Sequence, residues 1–502
     1  MPPDGPSPAR AAALHVPVDH KAMRRPLILA ACLMATFMAA VESTIVATAM
    51  PSIVADLGGF KLFSWVFAIY LLSQAVTIPI YGRLADLLGR KKTFYIGAGL
   101  FLVGSTLCGF ARNMVWLVIF RTLQGVGAGG VQPISMTICG DIYTPAERAK
   151  VQGLISSVFG VAAVVGPSLG AFLVEHGAWP VVFWVNLPVG AAAILMISVF
   201  LQEQVEHRKR KVDYLGSLLM TVAIGSLLLL LVQGETLPDS IVAILAAGFV
   251  LGLAVLLVYE ARAPEPMLPL ELWRDRVIVI GSIGGGIAGA IMMGVSAFLP
   301  TYVQGPMELS PTDAGLVLGV MSVTWALASI FGGRLMVRTS YRLIATLGAL
   351  CLVAGSLVLV GLTPSRGPLW ASMGSLVIGL GMGFCNTAFI VSIQAAVPWG
   401  KRGAATSSCL FMRFIGQALG AACFGAVLNF TIQRKSPGSW GAVDQLLQPG
   451  QRASLPAQER MRLAELVGAG LHNGYLLAVV LSVAVLVLVL RLPARLSPSR
   501  PG

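Results

Sequence analysis

Apolar residues along this chain gather into runs close to twenty residues long, broken by short stretches rich in Gly, Pro and charge. The runs fall at 27–49, 62–81, 94–110, 115–138, 151–173, 181–201, 215–232, 241–259, 277–303, 314–331, 343–362, 369–393, 404–428 and 471–490. A bilayer core needs about 20 apolar residues per helix, so each run predicts a membrane span. None shows the period-2 alternation of a half-buried strand. The pattern therefore predicts an all-α integral membrane protein with 14 transmembrane helices.

Composition changes that picture little and narrows what else the chain can be. Hydrophobic residues make up 56 % and charged residues 11 %, against about 25 % charged in a soluble domain. That leaves too little polar surface for a soluble enzyme or nucleic-acid binder, so no nucleic-acid partner is expected despite the net charge of +13. The excess of Lys and Arg instead orients the spans. With the N-terminus inside, cytoplasmic segments hold 25 of 35 Lys and Arg, as the positive-inside tendency demands. Both termini are then cytoplasmic. The expected parts are a tail over 1–26, helices over 27–201, a linker with two helices over 202–276, helices over 277–490, and a tail over 491–502. An external loop over 429–470 interrupts the last part, and its residues 457–467 read as a short interfacial helix.

Weak internal repetition relates the two large parts. Gly82-Arg83-Leu84 returns as Gly333-Arg334-Leu335, Pro145 with Arg148 as Pro398 with Arg402, and Gly166-x-x-x-Gly170 as Gly416-x-x-x-Gly420. The offsets are 251, 253 and 250 residues. Two homologous six-helix bundles with two central inserted helices account for this spacing, an arrangement in which transporters place a site between rocking halves.

Candidate chemistry is sparse. Glu42, Arg121 and Arg413 are the Asp, Glu, Lys or Arg residues well inside spans. An ion at that depth costs about 2.5–3.5 kcal/mol on insertion scales, so each should face protein or water. Glu42 can carry a proton or a cation in exchange, or serve as a structural partner of Arg121. Gln74, Gln124, Asn186, Asn386 and Gln417 could line a cavity, with Trp65, Tyr70, Trp325 and Phe384 as aromatic walls for a lipophilic cation. Pro167 removes a backbone donor, and Gly160, Gly166 and Gly170 permit close helix approach, which fits a hinge or a packing seam. Gly125-x-Gly127-x-x-Gly130 fits the dinucleotide fingerprint only in letters. No strand precedes it, so it reads as a packing face. The five histidines lack metal-ligand spacing, and the seven cysteines lie in apolar segments with no disulfide framework.

Several stretches carry a family resemblance. Gly82-Arg83-Leu84-Ala85-Asp86-Leu87-Leu88-Gly89-Arg90-Lys91-Lys92 resembles motif A of the major facilitator superfamily. Val41-Glu42-Ser43-Thr44-Ile45-Val46 with Met50-Pro51 is similar to the first-helix signature of its fourteen-helix drug:proton antiporter branch, which usually has Asp where Glu42 stands. Arg121-Thr122-Leu123-Gln124-Gly125 resembles motif B. Gly160-x5-Gly166-Pro167-Ser168-Leu169-Gly170 resembles motif C, with Ala171 in place of its second terminal glycine. Trp179 through Gly190 and Arg413-x-x-Gly416-x-x-x-Gly420 also look like that branch.

The resemblance implies the major facilitator fold in a bacterial inner membrane and export of lipophilic, cationic or amphipathic drugs against protons. It implies coupling through Glu42, Arg121 and Arg413, a cytoplasmic gate at Gly82, Asp86, Gly89, Arg90 and Arg148, and an antiporter hinge at Gly160, Gly166, Pro167 and Gly170. No cofactor beyond the proton gradient is expected, and a periplasmic adaptor is an optional partner that no motif specifies. An exporter of a lipid, siderophore or other metabolite would share the scaffold. An uptake symporter, or a membrane enzyme or channel, are further alternatives. The last pair would need clustered acids and histidines or a charged pore ring, which the spans do not show.

Overall fold

A computed structural model describes residues 24–143, 145–203, 214–234, 237–263, 271–398, 402–447 and 455–493. Most of both tails, the basic break near 208–211 and the middle of the Pro-rich connector lie outside the described residues, as do the side chains of Asp86 and Arg148.

Fourteen helices of fifteen residues or more order the described chain. They are α1 (Arg25–Leu57), α2 (Phe63–Leu88), α3 (Arg90–Gly109), α4 (Met114–Ile142), α5 (Pro145–His176), α6 (Asn186–Phe200) and α7 (Tyr214–Gln233). There follow α8 (Asp239–Glu260), α9 (Arg276–Gln304), α10 (Pro311–Arg338), α11 (Tyr341–Val360), α12 (Gly367–Ala396), α13 (Arg402–Lys435) and α14 (Ala457–Leu490). Among the described residues, twelve helices are long and apolar enough to cross a membrane. Of the other two long helices, α3 opens on Arg90-Lys91-Lys92, which dilutes its hydropathy, and α5 includes side chains outside those described, its described apolar stretch being Gly160–His176.

The helix starts follow side-chain chemistry. Asn113, Asp275 and Ser340 each accept a bond from a first-turn amide, and Ser310 with Asp313 forms a capping box at α10. Such caps are worth about 1 kcal/mol each. Helices α1–α6 pack on one another, as do α9–α14. Small residues bring the axes together. A Cβ on Gly125, Gly127 or Gly130 of α4 would lie 2.4 Å from Tyr70 O, 2.2 Å from Phe101 N and 2.7 Å from a Tyr81 ring carbon. The G-x-G-x-x-G stretch is thus a packing face against α2 and α3. On α13, a Cβ at Gly416 would meet Gly286 O of α9 at 2.0 Å.

The inserted pair behaves differently. α7 packs on α8 and also touches α2 and α13. α8 is apolar around its whole circumference, with Ile244, Val250 and Leu251 exposed, as expected of a helix bathed in hydrocarbon.

Contacts between the two groups cluster at the end that holds the α1–α2 turn. Phe63 packs on Phe298 at 4.9 Å. Asn429 Nδ2 donates to Lys61 O at 3.1 Å, and Gln304 Nε2 to Thr48 O at 3.2 Å. Glu175 of α5 accepts from Thr312 N and Oγ1 of α10 at 3.1 and 2.5 Å.

The segment expected to be a loop over 429–470 is largely helical. α13 continues to Lys435, a short helix spans Trp440–Leu447, and the expected interfacial helix is the first three turns of α14. Leu463 and Leu466 are buried there while Met461 is exposed. The apolar stripe that includes Leu463 and Leu466 continues into the span. The run over 181–201 is likewise split, into one turn at Val181–Trp184 and α6.

Candidate functional site

Five helical segments of the first group converge on one ion pair. Glu42 of α1 and Arg121 of α4 are both 0 % exposed. Arg121 Nη1 donates to Glu42 Oε1 and, at 2.8 Å, to Gln124 Oε1 one turn along α4. Its Nε donates to Val66 O of α2 at 3.1 Å. The guanidinium carbon stands 4.0 Å from the Tyr70 ring centroid and 5.9 Å from that of Phe183. The other carboxylate oxygen, Glu42 Oε2, accepts from Asn186 Nδ2 at 2.6 Å. Ser105 of α3 ties the second layer, accepting from Asn186 Nδ2 at 3.0 Å and Gln124 Nε2 at 3.1 Å while donating to Phe183 O at 2.8 Å.

Every element contributes for a sequence reason. Gln124 sits three residues after Arg121, which places it on the same helix face. Asn186 follows the single turn Val181–Trp184 and opens α6, so its amide points inward beside Phe183. Gly104 has no side chain to block Gln124, whose backbone nitrogen would be 2.5 Å from a Cβ there.

A buried pair in this setting is held by geometry rather than by surplus energy, because desolvation offsets much of the attraction. Removing one partner's charge leaves the other unmatched, so the pair can register the arrival of a proton. Arg121 Nη2, the Tyr70 hydroxyl and Trp65 Nε1 are buried without a hydrogen-bond partner among the described residues. Such atoms are uncommon in native structures and invite a water or a ligand group.

The polar residues nominated from sequence do not form one constellation. Gln124, Asn186 and Tyr70 join Glu42 and Arg121. Gln74 and Trp65 are buried in the same helical group. Asn386 and Gln417 belong to the second group, where Asn386 Oδ1 accepts from Arg413 Nη1 at 3.2 Å and Gln417 Nε2 approaches Met292 Sδ at 3.9 Å. Ser105 was not singled out by sequence, since a lone serine in an apolar run carries no pattern.

At the opposite end, Gly89 adopts φ +87° and lets α3 start at once after α2. Glu203, also missed by sequence, caps α3 through Arg90 N at 2.7 Å and Lys91 N at 2.9 Å. Arg90 Nε pairs with Asp141 Oδ2 at 2.9 Å, and Lys91 Nζ donates to Ser198 O and Leu201 O at the end of α6, each at 2.7 Å. Gly82 is exposed with open space around it. Along α5, Gly166 and Gly170 lie against Thr44 and Thr48 of α1, and Gly160 faces Ala326 of α10. Pro167 lies within α5, its carbonyl 2.8 Å from where a Gly315 Cβ would be.

Comparison with known proteins agrees with this arrangement. Residues 32–421 match the Major Facilitator Superfamily. The chain is 33 % identical to "Multidrug resistance protein 3" of Bacillus subtilis (strain 168), over 89 % of this chain and 91 % of the relative. It is 35 % identical to "Multidrug transporter protein MdtP" of the same organism, over 82 % and 76 %. Among solved structures, an inward-facing, unoccupied bacterial homologue of the human lysosomal transporter Spinster superposes with a TM-score of 0.66 at 18 % identity, covering 93 % of this chain and 96 % of that one. The chain is a multi-pass membrane transporter rather than an enzyme, and it belongs to the major facilitator superfamily.

Proposed function

We propose that this transporter exports lipophilic, cationic or amphipathic compounds in exchange for protons, by alternating access between two six-helix halves. The reading takes all fourteen long helices as spans, with both termini in the cytoplasm of a bacterial inner membrane. The observation that carries it is the full enclosure of Glu42, a carboxylate with each oxygen engaged by a different helix.

In this reading Glu42 is the proton carrier. On the outer side it takes up a proton, the ion pair loses its charge, and Arg121 and Asn186 are freed to shift α4 and α6 against α1. On the inner side it gives up the proton and the pair closes again. In this reading the clustered contacts at the α1–α2 end lie on the outer side and would seal it while cargo enters from the cytoplasm. Gly82, Asp86, Gly89, Arg90 and Arg148 act as the cytoplasmic gate, and Gly160, Gly166, Pro167 and Gly170 as the bending element of α5. Arg413 contributes to coupling from the second half. No cofactor is required. One-for-one exchange of a proton for a monovalent cation moves no net charge, so the pH gradient alone would drive it, whereas exchange for a neutral compound also gains about 2.3 kcal/mol per 100 mV of membrane potential.

The test is efflux of an amphipathic fluorescent dye from proteoliposomes under an imposed pH gradient. Wild type should respond to the gradient, and Glu42→Gln should lose that response while still binding dye. Undiminished gradient-driven efflux by Glu42→Gln would remove Glu42 from the mechanism.

A further inference from the structure

Within the spans, formal charge does not cancel. Glu42 is matched by Arg121, whereas Arg413 has no carboxylate within ion-pair distance among the described residues. Its Nη1 donates to the neutral Asn386 Oδ1, its Nε is buried without a partner, and its guanidinium carbon is 5.5 Å from the Phe414 ring centroid. The residue is partly exposed rather than sealed. It projects from α13 toward α12, and its own backbone and Cγ close the approach to Gly289 of α9. A guanidinium has five donors in a planar fork suited to two oxygens of one acid. Here one donor is spent on an amide that adds no negative charge. A cation at membrane depth without a counter-ion marks a functional site whose natural complement is an anion.

We infer that Arg413 and Asn386 form a cargo-binding point for the acidic group of an amphipathic anion, such as a sulfonate or carboxylate on an apolar body. The guanidinium faces the acid, and Asn386 holds the fork in place. This inference rests on the transporter reading above but not on its proton coupling. It narrows the cargo to amphiphiles with an acidic head, and it sets the two halves to different tasks. The first half holds a self-neutralised pair, and the second half presents the unmatched charge.

Two probes with one apolar body and opposite charge test it, pyrene-1-sulfonate and pyrene-1-methylammonium. Binding is read by energy transfer from the protein's tryptophans in neutral phosphatidylcholine nanodiscs at pH 7.5, with no gradient. Wild type should bind the sulfonate at least about tenfold more tightly than the ammonium. Arg413→Gln should weaken sulfonate binding by about ten- to a hundredfold, the range for losing a charge-assisted hydrogen bond, and should not weaken ammonium binding. Arg413→Lys should keep a large part of the preference, and Asn386→Ala should lose several-fold. Equal or stronger binding of the ammonium by wild type would overturn the inference whatever the variants do. Sulfonate binding by a folded Arg413→Gln at wild-type strength would overturn it as well. Because no gradient is present, failure of Glu42-linked efflux leaves this result standing, and failure here leaves the proton-carrying role of Glu42 untouched.

Discussion

The enclosed pair Glu42–Arg121 makes an asymmetric stability prediction. Glu42→Gln keeps the side-chain length and one carbonyl acceptor, but it strands a guanidinium that is 0 % exposed. Breaking a buried pair in this way costs about 3–5 kcal/mol. Arg121→Gln removes the bonds to Glu42, Gln124 and Val66 O, yet the remaining carboxylate can neutralise itself by taking a proton. Its cost should be nearer about 3 kcal/mol, in line with losing hydrogen bonds to charged and buried groups. The double variant places two neutral amides face to face. It should lose less than the sum of the singles, by about 2–3 kcal/mol, the upper part of the range for contacting residues. Reversible unfolding by SDS titration in mixed micelles gives all four free energies. Additivity within about 0.5 kcal/mol would mean that the two charges do not depend on each other and that Glu42 and Arg121 are not a coupled pair.

Two further predictions concern the contacts between the halves and between their helices. Asp444, in the short helix Trp440–Leu447, accepts from Gly59 N at 3.1 Å and Phe60 N at 3.0 Å, fastening the segment before α14 to the start of α2. Burial raises its carboxyl above the usual aspartate range, while the amide bonds from Phe60 and Gly59 pull it down. A raised value means that the fastened state binds the proton more readily than the released state. Fastening should therefore strengthen as pH falls from the raised value toward the ordinary aspartate value of about 3.9, and weaken as pH rises. Hydrogen exchange of the Gly59 and Phe60 amides, corrected for intrinsic rate, should show this slope in wild type and none in Asp444→Asn. Asp444→Ala should speed exchange about tenfold, the equivalent of about 1–2 kcal/mol; unchanged protection would refute the contact. Gly416→Ala drives a methyl into Gly286 O and should cost about 1–3 kcal/mol in the same SDS titration, whereas Gly160→Ala, whose Cβ would be 3.6 Å from Ala326, should stay within about 0.5 kcal/mol.

Hydropathy by itself determined that the chain is a bundle of apolar helices. Lipid permits no unsatisfied backbone, so a run of about 20 apolar residues has to become a helix whatever its neighbours do. Rarity alone likewise nominated Glu42, Arg121 and Arg413, because each charge at membrane depth has to be explained. What those charges meet was decided by tertiary structure. Arg121 finds Glu42 across 79 positions of sequence and Asn186 reaches the same carboxylate across 144, separations that no helical period encodes. The same holds for Glu203 at the start of α3 and Asp444 on the α1–α2 turn, polar residues in connecting segments whose sequence surroundings match those of any solvated loop. The continuation of α14 back to Ala457 was hidden for the opposite reason. Its charged residues set it apart as a separate interfacial helix, while the packing of Leu463 and Leu466 against the bundle kept it continuous with the span. Which arginine is matched and which is left open depends on helix approach set by glycines such as Gly104 and Gly289, and that approach exists only once the helices are packed.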